Sequence, residues 1–165
     1  MMVSRRALLS MLPAVVLCGC ATVQNISQAA SDAAAIAAAL KGLLPTIIRI
    51  TGIGTALSTT IGGVVDELSS VAAQIAAAKS GTLVSLVQRL GAGVITIATL
   101  LAPVAGLPIW VLTVLGAAQA LLPIIMSSIG VVATPPTSLS AKFGEAIAMR
   151  PEEARSILKL AAAGK

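Results

Sequence analysis

Between residues 90 and 141 the chain carries no ionisable side chain, an uninterrupted interval of 52 residues. So long a stretch must either be wrapped by the rest of the chain or sit in hydrocarbon. The remainder does little to offset it. Hydrophobic residues make up 57% of the sequence and charged residues 10%, against about 45–50% and about 25% in ordinary soluble domains. Aromatics contribute 1%, so any core has to be built from Ala, Leu, Ile and Val, without the large rings that dominate burial elsewhere. His is absent, which removes the commonest general base and metal ligand and the familiar nucleophile–His pairs. The expectation is a protein that is not an enzyme and binds neither metal nor cofactor.

The amino terminus reads as a processing signal. Arg5 and Arg6 form a short basic region, followed by apolar residues 7–17 and then Cys18-Gly19-Cys20. The apolar run makes a helix of about 16 Å at about 1.5 Å per residue, too short for a hydrocarbon core of about 30 Å. It has the length of a secretory signal's apolar segment. Leu17-Cys18-Gly19-Cys20 resembles the lipobox of bacterial lipoproteins, with Leu three positions before Cys20 and Gly directly before it; Cys18 departs from the usual Ala or Ser. The resemblance is confined to the signal region. It implies removal of residues 1–19 and lipidation of Cys20 with acyl chains such as palmitate. Each buried CH₂ contributes about 0.8 kcal/mol, so two or three chains make a stable membrane anchor. Ser4-Arg5-Arg6-Ala7-Leu8-Leu9 is also similar to a twin-arginine export signal, an address rather than an anchor; an ordinary basic region accounts for the same Arg pair.

The rest of the chain reads as helical, in four parts: an Ala-rich region over 20–80, an apolar region over 81–132, a Pro-rich linker over 133–138 and an amphipathic tail over 139–165. Asn25 with Gln28 has the spacing of a capping box, and the helix it starts is expected to stop near Lys41, before Gly42 and Pro45. Ala30, Ala33, Ala34, Ala37 and Ala38 would form its packing face. Val64, Leu68, Val71 and Ile75 recur at helical spacing over 62–79, with Asp66, Glu67, Ser70 and Gln74 largely on other faces. A further helix is expected over 82–102. Residues 108–132 hold one strongly polar side chain, Gln119, and as a helix are long enough to span a bilayer with some tilt. Trp110 would sit at the interface. In the tail, Pro151 followed by Glu152 and Glu153 is a helix start. Residues 33–61 and 72–100 align without gaps at 11 of 29 positions, which suggests a duplicated helical hairpin, although Ala supplies five of the identities.

Little here points to chemistry. Adjacent acids such as Asp66 and Glu67 point about 100° apart on a helix and read as a solvated face. Gly52-Ile53-Gly54 lacks the third Gly of a dinucleotide loop. The scattered cations and the scarcity of aromatics argue against a nucleic-acid surface. Arg49 and Arg89 lie in apolar neighbourhoods and are expected to snorkel to an interface or to pair with Asp66 or Glu67. Gly116 and Ala120 have the small-xxx-small spacing of close helix packing, beside Gln119, which could hydrogen-bond across helices, so homo-oligomers are plausible.

Two functional classes stay open. One is a small lipid-anchored protein of the bacterial cell envelope with a structural or interaction role, its partners being membrane lipid and an envelope protein. Ala21 after Cys20 implies, by the same resemblance, the outer membrane, which conflicts with a spanning helix. The other is a holin-like or toxin-like pore former. Within the first class the apolar run is either a transmembrane segment or the buried core of a tethered bundle.

Overall fold

The computed structural model describes residues 23–78, 82–130 and 149–164. They form an all-α fold of five helices: α1 (Val23–Thr51), α2 (Thr55–Ala77), α3 (Leu83–Leu101), α4 (Ile109–Ser128) and α5 (Pro151–Ala162). The proposed export signal at Arg5 and Arg6, Cys20 and the linker over 133–138 lie outside the described residues.

The first three helices are built on one seam pattern. Buried positions run Ala29, Ala33, Ile36, Leu40, Leu43 and Ile47 in α1, and Ile61, Val65, Leu68, Ala72 and Ile75 in α2. In α3 they run Leu83, Val87, Leu90, Val94, Ile97 and Leu101. These alternating steps of four and three keep one stripe facing its neighbours, the geometry of shallow-angle bundle packing. Successive helices are antiparallel, since Leu44 faces Gly62, Leu68 faces Gly93, and Gly91 faces Leu122 and Met126. Contact between α1 and α4 closes the four into a bundle.

The fifth helix runs the other way relative to α4. Asp32 meets Arg155 and Gly42 meets Ala161, so α5 lies parallel to α1. It packs on both α1 and α4 and buries Ala154, Leu158 and Ala161 in the cleft between them. Pro151 starts it, and the Arg150 backbone N–H donates to Glu153 at 3.2 Å.

Helix α4 packs against α1, α3 and α5. All six residues from 114 to 119 are buried, more than a full turn, so this helix has no water-facing stripe in its middle. Three helices, α1 over Asn25–Arg49 together with α3 and α4, are long and apolar enough to cross a membrane by length and composition. The outward surfaces of α1 and α3 are nevertheless largely polar or small. On α3 these are Ser85, Gln88, Arg89, Ala92, Thr96 and Thr99. The exposed large hydrophobic side chains among the described residues are Val84, Ile109, Trp110 and Leu160.

Several sequence expectations are corrected. Helix α1 begins at Val23, so Asn25 lies inside it rather than at its cap. It also passes through Gly42 and Pro45 and ends at Gly52, whose φ of +58° and N–H bond to the Ile48 carbonyl form a left-handed terminus. Tertiary packing explains the Gly at position 42: a Cβ there would lie 2.8 Å from the Ala161 carbonyl oxygen, so Gly admits α5 at a cost of about 1 kcal/mol in helix propensity. The buried face of α1 includes Ala29, Ala33 and Ala37, whereas Ala34 and Ala38 face outward. The hairpin duplication does not hold, because the turn at residues 52–54 would align with residues 91–93, which lie within α3.

Candidate binding groove

Helix α5 is shorter than the cleft it fills. Its 12 residues cover about 18 Å, whereas the 20 residues of α4 cover about 30 Å. Beyond its C-terminus the cleft between α1 and α4 stays open as a groove of about 560 Å³. Gly42, Leu43, Thr46 and Arg49 of α1 form one wall, and Trp110, Thr113 and Val114 of α4 the other. Ile157, Leu160, Ala161 and Gly164 close the lower end.

Local sequence explains each wall. Thr46 and Arg49 lie on α1 only because that helix continues past Pro45. Trp110 stands in the first turn of α4, and Thr113 donates its hydroxyl to the Ile109 carbonyl at 3.0 Å. Arg49 is the one charged residue lining the groove, and among the described residues no carboxylate pairs with it. A smaller cleft of about 310 Å³ lies near the α3–α4 turn, lined by residues that include Leu101, Val104, Leu107, Leu112 and Leu115.

At the other end of α5 sits a polar clasp that the sequence did not announce. Arg155 Nε and Nη2 donate to the two carboxylate oxygens of Asp32, each at 2.8 Å. Gln28 Nε2 adds a third bond to Oδ1 at 3.0 Å. Asp32 is 3% exposed, so its charge is compensated inside the fold. The hydrogen bonds to Asp32 raise the Arg155 pKa above its ordinary value, against the opposing effect of desolvation. The signal for this site was an acid set among the inward Ala residues of α1.

The residues singled out from the sequence fall in different places. Gly116 and Gln119 are buried in α4 and Ala120 is half-buried beside them, so their close-packing surface is used within the chain. Gln119 Nε2 has no hydrogen-bond partner among the described residues. Arg89 pairs with Glu67 at 2.8 Å on the surface, one of the two partners expected for it, and Asp66 and Glu67 are both exposed. Among the described residues no group of three His, Cys, Asp or Glu side chains converges as a metal site would require. Compared with known protein families, characterised proteins and solved structures, the chain shows no significant match.

Proposed function

We propose that the chain is a small lipid-anchored protein of the bacterial cell envelope, a helical bundle tethered through Cys20 that serves a structural or interaction role. The observation that carries this reading is the sidedness of the long helices. On α1 and α3 the buried residues are almost all apolar, whereas Ser27, Gln28, Ser31, Lys41 and Arg49 of α1 and Ser85, Gln88, Arg89, Thr96 and Thr99 of α3 face outward. A helix bathed in lipid would favour the reverse. The part of the uncharged interval that is described, residues 90–130, is accounted for by α4 packing on three neighbours and by the inward seam of α3. The anchor rests on Leu17-Cys18-Gly19-Cys20, three residues before the start of α1.

The intact mass of the protein extracted from membranes tests the anchor. A species that begins at Cys20 and is heavier by acyl chains is the expected result. A full-length, unmodified mass would remove the lipoprotein reading and make the amino terminus a signal anchor.

A specific observation favours a second reading, a pore-forming membrane protein. The outward hydroxyls of Thr96 and Thr99 donate to the carbonyls of Ala92 and Ile95 within α3. They would therefore not be left unsatisfied in hydrocarbon. That reading requires induced expression to collapse the membrane potential, whereas a tethered bundle accumulates harmlessly.

A further inference from the structure

We propose that the groove beyond the end of α5 binds the acyl chain of a fatty carboxylate, with the carboxylate on Arg49. The inference does not rest on lipidation of Cys20. Three observations converge on it. The groove's volume falls in the range of about 300–1,000 Å³ typical of small-ligand sites, which suits one chain and not the two chains and head of a phospholipid. Its walls are mostly apolar, and two of the four exposed large hydrophobic side chains, Trp110 and Leu160, stand on them, with Ile109 beside Trp110. Such clustering in a concave site marks a binding surface rather than scattered exposure.

Charge supplies the third. Arg49 is the one charged lining residue, and among the described residues no carboxylate pairs with it, so a guanidinium able to bind a carboxylate at two points stands at an apolar trough. The Thr46 hydroxyl lies one helical turn below it on the same wall. An anionic head with a single apolar tail is the ligand class that satisfies both features. The ligand is not this copy's own anchor, whose acyl chains would be held as esters or an amide and would offer Arg49 no carboxylate.

The test uses the full chain in native membranes and a diazirine-bearing palmitate as photoprobe, with labelled peptides mapped by mass spectrometry. Labelling is expected to concentrate in residues 43–49, 110–114 and 157–164 and to fall away when unlabelled palmitate is added in excess. Arg49→Gln should reduce it at least fivefold and Arg49→Lys much less; the methyl ester of the probe should label weakly. Arg49 is exposed, so these variants leave the packing intact. Labelling spread along the outward faces of α2 and α3, labelling that palmitate does not compete, or labelling indifferent to Arg49→Gln would each overturn the proposal.

Discussion

Asp32 and Arg155 stand 123 positions apart and meet in a two-point carboxylate–guanidinium pair, both distances being 2.8 Å. The pair joins the first helix to the last, and it is the one ion pair among the described residues that involves a buried side chain. Removing one partner strands a charge. Arg155→Ala leaves the Asp32 carboxylate buried and uncompensated, and a loss of about 3 kcal/mol is expected. Because α5 packs outside the four-helix ring, the loss should show first as faster amide exchange in residues 154–162, with α1–α4 still protected. Uniform loss of protection across all five helices would contradict this.

The same pair sets a pH expectation. A folded-state pKa raised above the unfolded one gives stability that is complete below the unfolded value and is lost as pH rises through the folded value. For Arg155 that window lies beyond ordinary alkaline pH, so α5 should stay docked from neutrality to about pH 11. Amide exchange or helicity followed along an alkaline titration checks it.

Gly42 and Gly63 separate two meanings of glycine in a helix. At Gly63 nothing lies within 4 Å of an added Cβ, so Gly63→Ala should stabilise the bundle by about 0.5–1 kcal/mol. At Gly42 the added carbon meets the Ala161 backbone, which cannot turn aside as a side chain can. Gly42→Ala should therefore destabilise by about 1–3 kcal/mol, measured by thermal unfolding of the two variants side by side.

Much of this architecture was legible in the sequence. The third helix was expected over 82–102 and occupies Leu83–Leu101, because its seam repeats without interruption between a Gly and a Pro-rich turn. Read locally, the first helix stops before Gly42 and Pro45, and only the approach of Ala161 on α5 shows why a Gly stands at 42 inside a continuing helix. The clasp of Asp32 with Arg155 was not legible, since nothing local couples residues on the first and last helices. Helix α4 was ambiguous for a different reason. A helix apolar on every side has the same composition whether lipid or other helices surround it, and that choice is made by the neighbouring chain.

Gln119 has a buried amide nitrogen with no partner among the described residues. An unpaired buried donor costs about 1–3 kcal/mol. Gln119→Met, which keeps the shape and removes the polar end, should raise the unfolding midpoint. A lower midpoint would mean that the amide is bonded in the working protein, to water or to another chain.

The surface pair of Arg89 and Glu67 is expected to matter little. Both side chains are more than half exposed, and such pairs contribute about 0–1 kcal/mol. Glu67→Gln should shift the unfolding midpoint only slightly, and the shift should shrink further in high salt.

Whether the outward face of α3 meets water or lipid tests the account most directly. Thr96 lies on that face, more than a turn inside the C-terminal end of the helix. A Thr96→Cys variant of the full chain in unsealed native membranes should react with a water-soluble maleimide as fast as Ser156→Cys on the exposed side of α5. Protection of Thr96→Cys until detergent is added, with Ser156→Cys reacting at once, would place α3 in the bilayer and contradict the tethered bundle.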